Sequence, residues 1–259
     1  MAHVIVIPAR LASERLPGKL LRDDTGWPLI RHVHERCLQV PGVDRVVVAV
    51  DGAPLSTVVE RFGGEVVVTD PDLPTGTDRV AEATRSLDLD HEHDLVVNVQ
   101  GDEPEIDPQN VALLFARLEA SRSSADGVGV ATLAARRTDS AGWLDPNRVK
   151  VILDRRGEAI YFSRAPLPRP RDGSPPPEWL LHLGIYGFLP EALARFRQSE
   201  PSPLERTERL EQLRFLEDGI GIAVEVVNEG EGGIDTEEDY AAFVARFLAA
   251  GSPGIGVSE

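Results

Sequence analysis

The chain has 259 residues, 42% of them hydrophobic, with a formal net charge of −16. That length can bury a full apolar core, and the acidic balance excludes non-specific binding to nucleic acid or an anionic membrane surface. Cys37 is the lone cysteine and no apolar run reaches the length of a membrane span, which excludes a disulfide framework and predicts a cytoplasmic location.

Val4-Ile5-Val6-Ile7 is a short β-branched run that predicts a buried strand. The loop Pro8-Ala9-Arg10-Leu11-Ala12-Ser13-Glu14-Arg15-Leu16-Pro17-Gly18-Lys19 follows it. Leu29, Ile30, Val33 and Cys37 recur at helical spacing after Pro28, predicting a helix over residues 28–39. A strand over 45–50 comes next, then a helix marked by Leu55, Val58, Val59 and Phe62 and stopped by Gly63-Gly64. A strand over 65–69, a turn-rich stretch over 70–77, a helix over 78–87 and a strand over 94–99 continue the alternation. Asp107-Pro108 opens a helix running to about residue 122. This pattern predicts an α/β fold with a mostly parallel central sheet and helices on both faces.

The second half changes character. It predicts a strand over 129–135 and a hairpin whose arms, 149–153 and 159–162, flank Asp154-Arg155-Arg156-Gly157. An irregular proline-rich loop covers 166–177, followed by a strand over 182–189, a helix over 204–216 and a strand over 222–227. Thr236, with Asp239 three residues on, caps a final helix to about residue 248. Residues 250–259 read as a disordered tail. Neither a repeat nor a linker divides the chain, so residues 1–249 read as one domain with the hairpin as a small lobe.

The loop after the first strand carries Arg10, Arg15 and Lys19 beside Gly18. It leaves a central strand at the carboxyl edge of the sheet, where open α/β sheets bind ligands. Guanidinium forks, an ammonium and a glycine backbone match phosphate oxygens. Two readings stand for it, a triphosphate cradle and a solvated basic loop; neither G-x-x-x-x-G-K-[ST] nor G-x-G-x-x-G is present. Asn98-Val99-Gln100-Gly101-Asp102-Glu103-Pro104 places Asp102 just past another buried strand, and Asp235 lies between Ile234 and the cap Thr236. Singly these are a turn aspartate and a helix-start aspartate. Paired beside a cationic loop, they offer a second reading, carboxylates suited to Mg²⁺ on a nucleotide. His91-Glu92-His93-Asp94 reads as a solvated loop, and Cys37 as packed rather than reactive.

P-A-R-x-x-S-x-R-L-P-G-K, with V-Q-G-D-E-P and Gly233-Ile234-Asp235-Thr236, resembles the CMP-Kdo synthetase (3-deoxy-manno-octulosonate cytidylyltransferase) family of sugar-acid cytidylyltransferases. Thr75-Gly76-Thr77-Asp78-Arg79, Tyr161-Phe162-Ser163-Arg164-Ala165, His182-Leu183-Gly184-Ile185-Tyr186-Gly187 and Leu210-Glu211-Gln212-Leu213-Arg214 are similar to further family motifs, so the resemblance spans about residues 3–245. It implies a nucleotide-diphospho-sugar transferase-like fold and Mg²⁺ on Asp102 and Asp235. It implies a nucleotide half, 1–125, with Pro8, Ala9, Arg10, Arg15, Lys19, Asp51, Thr75, Gly76, Gln100 and Asp102 around CTP. The acceptor and dimerisation half, 126–249, would contribute most of the sugar-acid pocket: Arg79, Gln100, Arg164, His182, Tyr186, Glu211 and Gln212. Lys19, Arg10, Asp102 and Asp235 are the residues expected to carry the chemistry. Val50, Leu73, Thr75 and Leu181 depart from the family pattern.

The activity expected is CMP transfer from CTP to a small acidic acceptor with release of pyrophosphate, by a homodimer. The resemblance favours 3-deoxy-manno-octulosonate (Kdo) as acceptor. Lys19 and Lys150 are the only lysines among 27 basic residues, a bias that looks like a high-GC genome and opens a second acceptor class, small phosphonates such as phosphonoformate. A non-catalytic nucleotide-binding module is the alternative of another kind. Glu211 favours a polyhydroxylated sugar acid, since its charge would repel a phosphonate.

Overall fold

A computed structural model describes residues 1–13, 15–89, 93–122, 127–228 and 233–251. Its first half is built from β1 (His3–Ala9), α1 (Leu29–Cys37), β2 (Arg45–Val50), α2 (Ala53–Arg61), β3 (Glu65–Val68), α3 (Gly76–Ser86), β4 (Leu95–Asn98) and α4 (Pro108–Arg122). The second half adds β5 (Val128–Arg137), α5 (Ser140–Leu144), β6 (Lys150–Leu153), β7 (Ala159–Ser163), β8 (Trp179–Phe188), α6 (Pro190–Gln198), α7 (Pro203–Glu208), α8 (Gln212–Glu217), β9 (Gly221–Val227) and α9 (Glu237–Ala249).

One sheet runs through both halves in the order β3-β2-β1-β4-β8-β5-β9. The ladders β3–β2, β2–β1, β1–β4 and β5–β9 are parallel, whereas β8 runs antiparallel to both of its neighbours, β4 and β5. The sheet is therefore mixed, with β8 the inverted strand at its centre. The apolar runs of β1 and β2 need no polar alternation because both faces are covered. Ile5 and Ile7 pack with α1, α2, α4 and α9 on one side. Val4 and Val6 pack with α3, α6 and α8 on the other. Cys37 is buried in the first of these cores, and burial pushes its thiol far above the ordinary range.

The hairpin forms as β6 and β7, and is joined to the sheet where Lys150 pairs with Leu181. Helices α5 and α6 stand where the sequence reading places no element, although Pro190 opens α6 and Ala192, Leu193 and Phe196 share one helical face. Three expectations fall partly outside the described residues: the tail, of which 252–259 are not described, His91 and Glu92 of the histidine-containing loop, and Glu14 of the cationic loop. Asp94 is not a solvated loop residue: it is buried, and its Oδ1 accepts from Ala2 N at 2.6 Å.

The helix expected over 204–216 is two helices. Arg209 stands between α7 and α8 in the left-handed region, at φ 53° and ψ 50°. The two helices are then locked by a buried ion pair, with Arg214 Nε donating to Glu205 Oε2 at 2.7 Å and Nη2 to Oε1 at 2.6 Å. Glu205 also closes the capping box with Ser202, and Arg214 stacks 3.8 Å over Phe196. Removing one partner of such a pair strands the other charge in the core. Glu205→Ala should therefore cost about 3 kcal/mol in urea unfolding, and the double change with Arg214→Leu should cost less than Glu205→Ala alone.

Candidate active site

Strands β1 and β4 are parallel neighbours, so the loops that follow them leave the sheet at one edge. Gly18, at φ 67°, turns the first loop into a short 3₁₀ turn, Lys19–Leu21. Positive φ is cheap only for glycine, and the turn carries the Lys19 side chain inward to 9% exposure. Its ammonium donates to Asp102 Oδ2 at 2.5 Å, to the Ile234 carbonyl at 2.6 Å and to Asp235 Oδ1 at 3.5 Å. Arg15 reaches the other Asp235 oxygen at 2.9 Å. Ile234 N donates to the Asp102 carbonyl at 2.8 Å, laying residues 233–235 against the second loop. A Cβ on Gly233 would stand 2.9 Å from Asp102 Oδ1, so a glycine is what allows that approach. The predicted cap also forms, Asp239 Oδ2 accepting from Thr236 N at 2.9 Å and from Asp235 N at 3.1 Å.

The fold thus brings Lys19, Arg15, Asp102 and Asp235 together, two charges of each sign. An arriving polyphosphate adds negative charge that this balanced set does not neutralise. Arg10 is exposed at the same edge, with no hydrogen-bond or ion-pair partner among the described residues. The two carboxylates are hard oxygen donors that already share one cation. No group of three or more His, Cys, Asp or Glu side chains able to hold a metal occurs among the described residues. A carboxylate pair is the donor set of Mg²⁺ when phosphate oxygens and water complete its shell, so the residues fit Mg²⁺ together with a nucleotide.

The remaining residues expected around the nucleotide have structural partners. Pro8 and Ala9 end β1, and Asp51 Oδ2 accepts from Leu11 N at 2.8 Å, tying the cationic loop to the end of β2. Thr75 is the N-cap of α3, its hydroxyl accepting from Asp78 N at 3.1 Å.

A cavity of 340 Å³ lies beside this centre, and Gln100, His182, Tyr186, Glu211 and Gln212 all line it. Gly76 lines it as well, its Cα facing the Gln100 amide. Burial lowers His182 to about 3, so the imidazole is neutral at physiological pH. Thr132 lies within hydrogen-bond distance of both the Ile185 carbonyl, at 2.7 Å, and His182 Nε2, at 3.1 Å. A hydroxyl has one proton, and donating it to the carbonyl makes Thr132 an acceptor for Nε2–H. That network assigns Nδ1 as the acceptor. Burial raises Glu211, with the Thr77 hydroxyl opposing, and burial with the Glu211 charge raises Tyr186 well above the ordinary range. Gln212 Nε2 is buried without a hydrogen-bond partner among the described residues, as are both amide atoms of Asn98 at the end of β4. An orphaned buried donor is costly unless a ligand satisfies it.

Two expected residues do not join this cavity. Arg79 is buried beneath the sheet edge, where Nη1 donates to Thr69 Oγ1 at 2.5 Å and to the Asp70 carbonyl at 3.2 Å. Arg164 donates Nε to the Glu208 carbonyl at 2.8 Å and Nη1 to the Pro146 carbonyl at 3.1 Å. In both cases a guanidinium reaches backbone carbonyls closer than the cavity. Conversely, Thr77 and Arg209 line it without having been singled out. Thr77 lies inside the Thr75–Arg79 motif and was recoverable. Arg209 was not, because a helix drawn through 204–216 gives it no special position.

The sequence profile described as cytidylyltransferase matches residues 4–224. A 3-deoxy-manno-octulosonate cytidylyltransferase of Syntrophobacter fumaroxidans is 45% identical over 245 residues, covering 94% of this chain and 96% of the relative. The enzyme of the same name from Halorhodospira halophila is 44% identical over 254 residues, 95% of this chain and 96% of the relative. Among solved structures, CMP:2-keto-3-deoxy-manno-octonic acid synthetase complexed with CTP superposes with a TM-score of 0.88 at 38% identity, covering 96% of this chain and 100% of that one. A cytidylyltransferase of Leptospira borgpetersenii, at 17% identity and TM-score 0.63 over 96% of this chain and 87% of that one, shares the fold.

The neutral His182 makes a pH prediction. Its folded pKa, about 3, lies below the unfolded value near 6.5, so its contribution to stability is present above pH ~6.5 and is lost as pH falls towards about 3. Wild type should lose several degrees of Tm relative to His182→Gln over that window, and the Tm difference should be flat above pH ~7.

Proposed function

The chain belongs to the cytidylyltransferase family, and from that premise we propose that it transfers CMP from CTP to Kdo, releasing pyrophosphate. One juxtaposition carries the reading. The Lys19–Asp102–Asp235 centre lies two residues beyond Gln100, and Gln100 itself lines a cavity rich in hydrogen-bonding side chains. The first suits a triphosphate with its cation, and the second suits a polyol.

An acceptor hydroxyl oxygen attacks the α-phosphorus. A phosphorus–oxygen bond forms as the hydroxyl gives its proton to solvent, the bond to the bridging oxygen of the β-phosphate breaks, and the electron pair leaves with pyrophosphate. Lys19, Arg10 and Arg15 offset charge on the phosphate oxygens as it shifts to the leaving group. Asp102 and Asp235 would hold Mg²⁺, which when bound supplies charge neutralisation at the triphosphate. Gln100, His182 Nδ1, Tyr186, Glu211 and Gln212 orient the acceptor hydroxyls by donors and acceptors of fixed direction. A small phosphonate has too few hydroxyls for these groups and would meet the Glu211 carboxylate, which disfavours that alternative. A non-catalytic module would have no use for a cation–carboxylate centre and an acceptor cavity together.

Residues 1–125 then serve the nucleotide and 126–249 most of the acceptor site within one unit. Assembly as a homodimer through the β6–β7 lobe accounts for Ile160, which is 59% exposed on β7, and for the edge of β7, which pairs only with β6 among the described residues. No helix among the described residues is long and apolar enough to cross a membrane; with nucleotide and sugar-acid substrates, the enzyme would work in the cytoplasm.

Pyrophosphate release from CTP and Kdo with Mg²⁺ tests the activity, and UTP, ATP and GTP should each be poorer donors. Preference for a purine triphosphate would overturn the choice of base. Asp102→Asn and Asp235→Asn should each lower kcat by roughly 100-fold or more with the far-UV spectrum unchanged; near-normal turnover by both would remove the metal assignment. In sedimentation at micromolar concentration the wild type should be a dimer and Ile160→Glu should shift towards monomer.

A further inference from the structure

Asp235 is the more loosely held of the two carboxylates at the centre. Its side chain is 46% exposed, and that of Arg15, which reaches it, is 66% exposed. Lys19 approaches it only to 3.5 Å. Such contacts orient a carboxylate but hold it weakly, so its place depends on the backbone that carries it. Asp239 Oδ2 accepts from Asp235 N at 3.1 Å and from Thr236 N at 2.9 Å. Residues 235–236 therefore move with the first turn of α9.

Arg22 holds that turn. It follows the 3₁₀ turn Lys19–Leu21, and its N donates to the Lys19 carbonyl at 3.2 Å. Its guanidinium donates to Glu237 Oε2 in the first turn of α9 and to Asp24 Oδ2 at 3.3 Å. The same group lies 3.9 Å over the Tyr240 ring. Asp24 N donates to the Tyr240 hydroxyl at 3.2 Å, which gives a partner to a phenol buried at 2% exposure. Lys19 and Asp235 are thus joined twice, once at the centre and once through Arg22 and the first turn of α9. The body of the helix has its own anchor. Phe243 and Phe247 meet the His32 ring edge-on, with centroids 5.1 and 4.5 Å away. Loss of Arg22 therefore frees the first turn and leaves the helix docked.

We propose that Arg22 is a positioning residue for nucleotide binding: it holds the first turn of α9, and through that turn the Asp235 carboxylate, so that α9 belongs to the nucleotide site. The assignment rests on the reading of the Lys19–Asp102–Asp235 centre as the place for a triphosphate and its cation. The Arg22 guanidinium is committed to Glu237, Asp24 and the Tyr240 ring, so it acts on that centre through Asp235. A planar guanidinium can stack on a ring and donate in its own plane at once, which an ammonium cannot.

The test compares wild type, Arg22→Met, Arg22→Lys, Glu237→Ala, Asp235→Asn and the double variant Arg22→Met/Asp235→Asn. Binding of Mn²⁺ in the presence of CTP is followed by the paramagnetic resonance signal of free Mn²⁺, with no acceptor present. Turnover is followed separately with CTP, Mg²⁺ and Kdo. Arg22→Met keeps an apolar stem over Tyr240 and removes the charge. It should weaken Mn²⁺ binding and lower kcat/KM for CTP by roughly tenfold each, with KM for Kdo within about twofold of wild type. Arg22→Lys should recover part of the loss. Glu237→Ala, at a side chain 61% exposed, should act in the same direction without risk to the fold. Against Asp235→Asn, the added Arg22→Met should change the residual kcat/KM for CTP by less than about twofold, because a residue that acts through Asp235 has nothing left to position. A purely structural role would give the full loss in both backgrounds. Unchanged Mn²⁺ binding in Arg22→Met, or in Glu237→Ala should Arg22→Met fail to fold, overturns the assignment and leaves the activity standing. So does an equal loss with and without the Asp235 carboxylate. An Asp235→Asn variant that binds Mn²⁺ and CTP as wild type does overturns the reading of the centre, and the assignment of Arg22 with it.

Discussion

A buried ammonium must have its charge met inside the protein, and everything at the nucleotide end of this molecule follows from how that is done. Lys19 is met by Asp102, 83 residues away, and by Ile234 and Asp235, 215 and 216 residues away. Three loops with little sequence proximity are therefore pinned to one point at the end of β1. Breaking the pin would leave charges of both signs unpaired at the sheet edge, a cost well above that of an exposed salt bridge. The same pin fixes the direction of both carboxylates. The Lys19 ammonium occupies the space between the two carboxylates.

The chain as a whole carries a charge of −16, yet its proposed substrates are anions. The field of the whole protein opposes such ligands, and local convergence overcomes it, because Coulomb energy falls with distance and is screened over about 8–10 Å. Arg10, Arg15 and Lys19 lie within ten residues of one another on a single loop. The 340 Å³ cavity holds one guanidinium, that of Arg209, among side chains that are neutral or acidic.

One wall of the cavity is held by a second buried pair. Glu205 and Arg214 lock α7 to α8, and the turn between them faces the cavity. The lobe grips that turn through Ser163 and Arg164. The Tyr161–Ala165 motif, similar to one of a sugar pocket, acts here one layer behind the pocket: its serine and arginine hold Glu208, and Glu208 precedes the residue that reaches the cavity. Rigid support of this kind matters for in-line transfer, where a small misplacement of the acceptor oxygen lowers the rate strongly.

The sequence by itself determined the elements whose signals are local. β-branched runs marked the buried strands, Gly63-Gly64 and the Thr236–Asp239 box marked helix ends, and the hairpin arms were legible on either side of their turn. It also carried the cationic loop and both aspartates, because a loop after a buried strand can only emerge at a sheet edge. Tertiary structure alone decided the rest. Inversion of β8 between β4 and β5 depends on long-range pairing that no local pattern encodes. The break at Arg209 carries no turn residue to announce it, since arginine is a good helix former; only the lapse of the apolar period over residues 205–209 marks it. The fates of Arg79, Arg164 and Arg209 were undecidable for one reason. A guanidinium is long, always charged and satisfied equally by a carbonyl or a carboxylate, so which acceptor it takes depends on what the fold has placed within its reach.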